Sequence, residues 1–288
     1  MATMVERLTF AQENRERIQA VDIAFGSRGK SLSQPDRILV GEGRLMKQSR
    51  RGLQPKVFFL FNDVLVYGSI LLNGRWYNKQ QVIPLGDIQV EDLENSLLMK
   101  NQWLIRTPRK SFYVGAASYE EKQAWIEHIT DCQSRLLQEG QHTLRSNFAA
   151  TWIPDQASAI CMRCSNKFTV TQRRHHCRNC GFVVCRSCSK KRAVIRHIHP
   201  TKQQRVCSMC HSSLLGSEAG PEERTRMRGD STGKMGSDED EVDGSSEEEV
   251  EDNVEDHDPS RWMASWSPYV YLKPEHIRPQ TDSSGVLR

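Results

Sequence analysis

The sequence predicts an α+β chain of several domains: a small β-barrel capped by a C-terminal helix, a small cross-braced cysteine-rich module, and a disordered acidic tail. Three observations predict it. Short β-rich runs crowd residues 37–114 and give way to one amphipathic helix. Eight of the nine cysteines fall in four Cys-x2-Cys pairs between residues 161 and 210. Beyond Leu214 the composition turns to Ser, Gly, Glu and Asp.

Residues 1–36 open with an amphipathic helix. Leu8, Ala11, Ile18, Val21 and Phe25 fall near helical spacing, and Gly26-Ser27-Arg28-Gly29 ends it. The segment is expected to pack on the domain that follows. It has no apolar stretch of secretory type, which points to a reducing compartment.

Residues 37–138 form the first domain. Ile38–Val40, Lys56–Phe61, Asp63–Tyr67, Gln80–Leu85, Trp103–Thr107 and Ser111–Val114 read as strands, with Asn62-Asp63 as a tight turn. Ser118 and Glu121 make a capping box for the closing helix. Trp125, Ile129, Cys132 and Leu136 form one apolar stripe along it, and Gly140 is its stop. Cys132 lies on that stripe and is read as core. The run VFFLFNDVLVYG (57–68), IPLGDIQV (83–90) and a Trp inside the final helix resemble a pleckstrin-homology (PH) domain. The resemblance implies a basic first hairpin, here Lys47, Arg50, Arg51 and Lys56. Phe58 stands where the family's phosphoinositide binders carry an Arg, so broad, weak binding of anionic lipid is expected there, with phosphoinositides among its ligands.

Residues 139–150 read as a linker, and residues 151–212 as a metal-braced module. Cys161-x2-Cys164, Cys177-x2-Cys180, Cys185-x2-Cys188 and Cys207-x2-Cys210 supply eight thiolates, enough for two closed, tetrahedral Zn²⁺ sites. Only four residues separate the second pair from the third, and such close pairs favour different ions. This suggests an interleaved cross-brace: Cys161, Cys164, Cys185 and Cys188 on one ion, Cys177, Cys180, Cys207 and Cys210 on the other. Spacing alone does not fix that pairing. A module of ~60 residues has too small a core to fold without metal. Closed four-thiolate sites leave no position for a catalytic water.

Charge is segregated. Residues 1–236 carry 36 basic and 21 acidic side chains, whereas the run 237–258 carries 13 acidic ones and no Lys or Arg. A basic body suits an anionic partner. Within residues 151–212 there are 12 Lys or Arg against a single acidic residue. The tail, 213–288, is expected to be disordered. Its acidic run is expected to compete with anionic lipid for the basic surfaces. Trp262, Trp266, Tyr269 and Tyr271 form an aromatic cluster expected to dock on a protein partner.

Three short motifs surround the cysteines: WIPD (152–155), RRHHCR (173–178) and RVC (205–207). With the eight-cysteine spacing they resemble the FYVE zinc finger. A PH domain followed at once by a FYVE finger resembles the phafin proteins. The resemblance implies a finger that binds phosphatidylinositol 3-phosphate on early endosomes. It implies that Arg174, Arg178 and Arg205 hold the 3-phosphate, Arg173 the 1-phosphate, and His176 and Asp155 the inositol hydroxyls. It also implies that Val170 and Thr171 enter the bilayer. An Arg cluster is the chemistry a phosphomonoester requires, and an Asp among cations repels a phosphate placed where a hydroxyl belongs.

The expected protein is a non-catalytic cytoplasmic adaptor, peripheral on early endosomes and also on lysosomes, acting in membrane trafficking and autophagy. No nucleophile–base–orienter set supports an enzyme. A RING-type ligase would place a His among the ligands, where all eight positions here are Cys. A nucleic-acid reading leaves WIPD unexplained and lacks stacking aromatics between the basic residues, so no nucleic-acid partner is expected.

Overall fold

The computed structural model describes residues 4–50, 52–71, 74–95, 100–138, 140, 147–218 and 269–270. Arg51, the acidic run 237–258, and Trp262, Trp266 and Tyr271 lie outside the described residues. The chain divides into two compact units, one built on the barrel and one on the cysteine pairs, with the boundary between Ala149 and Ala150.

The first unit opens with helix α1 (Met4–Phe25). Seven strands follow: β1 (Leu39–Ser49), β2 (Gly52–Phe61), β3 (Val64–Leu71), β4 (Trp76–Pro84), β5 (Gln89–Asp92), β6 (Gln102–Arg106) and β7 (Phe112–Gly115). Helix α2 (Tyr119–Gln138) closes them. The strands lie antiparallel in the order β4-β3-β2-β1-β7-β6-β5. β1 and β4 are longer than their apolar cores suggest. β1 runs on through Gly41 to Ser49 because β2 pairs it residue for residue to Gly52. β5 follows the Leu85–Asp87 turn and pairs with β6.

The unbroken run VFFLF has a structural cause. Phe58 and Leu60 point into the barrel with Leu45, Trp103, Ile105 and Val114, under the α2 stripe of Trp125, Ile129, Cys132 and Leu136. Val57, Phe59 and Phe61 point outward, where Ile18, Val21 and Phe25 of α1 and Leu32 cover them. A strand buried on both faces loses the polar alternation of a half-buried one. The expected α1 stripe is corrected at one end: Leu8 is 61% exposed, and Phe10 packs toward the barrel instead. Ser118 caps the helix as expected, and Glu121 reaches back one residue beyond it. The Glu121 amide donates to Ser118 Oγ at 3.1 Å, and the Ala117 amide donates to Glu121 Oε2 at 2.9 Å. Burial pushes the Cys132 thiol up to about 12, in keeping with its place in the core.

The second unit carries two-stranded ladders instead of a large sheet. β8 (His175–His176) pairs with β9 (Val183–Val184), and β10 (Arg192–Val194) pairs with β11 (Gln203–Arg205). Helix α3 spans Ser208–Glu218, so regular structure continues past residue 212. Of the C-terminal aromatic segment, β12 (Tyr269–Val270) is described. It belongs to the first unit and pairs antiparallel with β1 at Glu42 and Gly41.

Candidate metal centres and basic pocket

The cysteines of the second unit gather in two clusters. Cys161, Cys164, Cys185 and Cys188 form one, and Cys177, Cys180, Cys207 and Cys210 the other, with the sulfurs of each within 4.8 Å of one another. This is the interleaved pairing that the spacing suggested. Three of the pairs are tight knuckles closed by the main chain: the Ser165 amide donates to Cys161 O, Gly181 to Cys177 O, and His211 to Cys207 O at 2.8–2.9 Å; at the fourth, the Ser189 hydroxyl donates to Cys185 O at 2.9 Å. Backbone amides also aim at the sulfurs, Cys185 N–H at Cys161 Sγ (3.3 Å) and Cys207 N–H at Cys177 Sγ (3.2 Å). Four convergent thiolates with amide donors suit a closed zinc site, and the finger holds two Zn²⁺. Val184, Ile195 and Val206 are the buried aliphatics that pack with the cysteines in this core. So thin a core leaves the metal as the organising element.

RRHHCR enters this scaffold along β8. The WIPD segment lies beside it: the Ile153 amide donates to Gly181 O at 3.0 Å. His176 Nε2 sits 2.7 Å from Ile153 O and 3.7 Å from Asp155 Oδ1, with its ring stacked on Trp152 at 5.1 Å. His176 is therefore a buried wall of the pocket, where the resemblance implied a group open to ligand. The Arg178 guanidinium lies 4.0 Å over Trp152 and donates to His176 O at 3.2 Å. The Arg178 amide donates to Arg205 O at 2.9 Å, which ties RRHHCR to RVC. Arg205 in turn donates to Ser189 O at 3.1 Å. Arg174 lies 4.9 Å over Phe168, and Arg173 and Arg174 are exposed. Burial, with the Arg205 and Arg186 charges beside it, pushes the His175 imidazole down to about 4. The pocket is thus strongly cationic through its arginines, with the half-buried Asp155 as its acidic member.

Two residues the sequence reading passed over prove to be important. Gly181 has φ +76°, and a Cβ there would lie 2.0 Å from Thr151 O. Only glycine lets the WIPD segment approach this closely. Arg163, between Cys161 and Cys164, reaches across to the other cluster. A glycine following a knuckle and a cation inside one were the available signals.

The loop between the first knuckle and RRHHCR ends in a tight turn. The Thr169 amide donates to Gln172 O, and the Gln172 amide to Thr169 Oγ1. The turn thrusts Val170 into solvent at 92% exposure, with Thr171 exposed beside it. Phe168 packs inward on the module's core. The barrel's first hairpin departs from the expected exposed cluster. Lys47 is 2% exposed, its ammonium over the rings of Phe112 (4.5 Å) and Tyr67 (5.3 Å). Lys56 donates to Ser69 Oγ at 2.7 Å, and Arg50 is exposed. The alternation of β1 explains this: Lys47 shares a face with Leu45, which belongs to the barrel core.

The model of the PH domain matches residues 39–134, and that of the FYVE zinc finger residues 151–216. Human pleckstrin homology domain-containing family F member 1 is 44% identical over 266 residues, covering 91% of this chain and 95% of that protein. The zebrafish (Danio rerio) family F member 2 is 43% identical over 236 residues, covering 82% and 93%. The chain belongs to the pleckstrin homology domain-containing family F, the phafins. Among solved structures, the LM5-1 FYVE domain of Leishmania major is 43% identical and covers 24% of this chain and 82% of its own, with a TM-score of 0.23. The phafin pattern joins two phosphoinositide-binding, non-catalytic modules and implies peripheral association with membranes. No described helix is long and apolar enough to cross a membrane.

Proposed function

We propose that this phafin is a non-catalytic adaptor recruited to endosomal membranes by phosphatidylinositol 3-phosphate. Arg174, Arg178 and Arg205 take the 3-phosphate, and Arg173 the 1-phosphate. Asp155, with His176 behind it, screens the hydroxyl edge against further phosphates. The observation that carries this reading is the bond from the Arg178 amide to Arg205 O, together with the seating of Arg178 on Trp152. It supports a pocket in which Arg178 and Arg205 are fixed before ligand arrives, so little of their side-chain entropy is lost on binding. Val170 and Thr171 are the group that enters the bilayer, and the finger's basic surplus holds it there. The PH hairpin adds a weaker anionic-lipid contact through Arg50, Arg51 and Lys56, while Lys47 is buried. The adaptor serves endosomal and lysosomal trafficking and autophagy, with protein partners engaging the C-terminal aromatic cluster.

The test is recruitment in cells. Arg174→Ala or Arg178→Ala is expected to turn punctate protein diffuse, as is inhibition of the kinase that makes the lipid. Puncta that persist in either variant and under that inhibition would overturn the assignment.

A further inference from the structure

Arg163 belongs to the knuckle of the first zinc site, between Cys161 and Cys164, yet its guanidinium serves the second. Its Nε donates to Cys207 Sγ at 3.3 Å and a terminal nitrogen donates to Cys180 Sγ at 3.5 Å. The plane of the group lies 4.6 Å over the Phe182 ring. Phe182 lies between the second site's Cys180 and the first site's Cys185, so the side chain is held by the segment that links the two sites. The backbone of the same knuckle is anchored as well, with the Met162 amide donating to Val183 O at 3.0 Å.

A zinc ion with four thiolates carries about two net negative charges, and in a half-buried site that charge needs compensation. Two N–H···S contacts from one cation supply it, to one sulfur of each pair that makes the second site. We infer that Arg163 is a positioning residue for the second zinc: a cation contributed by one metal site that orients and neutralises the ligands of the other. The two sites are thereby coupled, since loss of the first ion frees the knuckle that holds Arg163 in place.

The experiment uses the full chain with both zincs bound and a chromophoric chelator that counts the ions released. Partners outside the ligand shell are typically worth about 10–100-fold in metal affinity. In Arg163→Met, one of the two ions is expected to leave at about 10–100-fold lower chelator concentration, with the other unchanged. Arg163→Lys, which keeps the charge and loses the fork, should fall between. The second readout is the cobalt-substituted protein. Removing N–H donors leaves a thiolate more electron-rich, so about half of the thiolate-to-cobalt charge-transfer intensity should move to lower energy. Equal weakening of both ions with an unshifted band would reduce Arg163 to a packing residue and overturn the proposal. So would native release of both ions. If Arg163→Met does not fold, Arg163→Gln carries the same two readouts, and native behaviour there overturns the proposal equally.

Discussion

Gly181 shows how a single backbone position holds the pocket together. Its φ of +76° is the left-handed region, and the Thr151 carbonyl occupies the space a side chain would need. In Gly181→Ala, strain of about 1–3 kcal/mol is relieved by releasing the WIPD segment while the thiolate clusters persist. Two zincs should remain bound, the Trp152 indole NMR signal should shift, and affinity for vesicles carrying phosphatidylinositol 3-phosphate should fall about tenfold or more. Native affinity in this variant would contradict the role. The RRHHCR motif was conspicuous in the sequence because Arg, His and Cys at that spacing have few other uses. Gly181 and Arg163 were not, because what they do depends on partners, Thr151 and Cys207, far away in sequence. Lys47 is the opposite case: the motif resemblance called it exposed, and strand alternation, once β1 is seen to run to Ser49, puts it inside.

Among the elements, α1 has the clearest energetic role. Phe25 lies edge-on to Phe59 at 6.1 Å and against Tyr77 at 5.5 Å, and Gly68 leaves room for its ring. Without α1 the outer row of Val57, Phe59, Phe61, Val64 and Val66 would face water. Phe25→Ala should therefore cost the barrel about 3–5 kcal/mol, read as a lower denaturant midpoint with an unchanged slope. An unchanged midpoint would mean that α1 merely rests on the sheet. The strands were legible where their apolar residues ran together. The polar half of β1 and the start of β4 were not, because pairing to a neighbour extends them rather than their own composition. The helix α2 was read correctly from its cap and stripe, since both signals are local.

At the scale of the whole molecule, the two units depend on different physics. The barrel unit has an extensive core inside and out, whereas the zinc unit has few buried side chains besides its cysteines. A strong zinc chelator should therefore unfold the second unit alone. Amide signals of the barrel should persist while those of residues 151–212 collapse. Thiol counting in the same sample should find eight sulfurs reactive and Cys132 protected, since its thiol is buried and pushed up to about 12. Cooperative loss of both units, or a ninth reactive thiol, would contradict that division.

In the proposed function, an arginine pocket on the zinc scaffold reads one phosphate position on the inositol ring. Its most direct measurement is co-flotation of the full-length, zinc-loaded protein with vesicles carrying phosphatidylinositol 3-, 4- or 5-phosphate at matched surface charge. Selective capture by the 3-phosphate vesicles is expected, with its loss in Arg178→Ala while both zincs are retained. Equal capture by all three isomers, or native capture by Arg178→Ala, would contradict it.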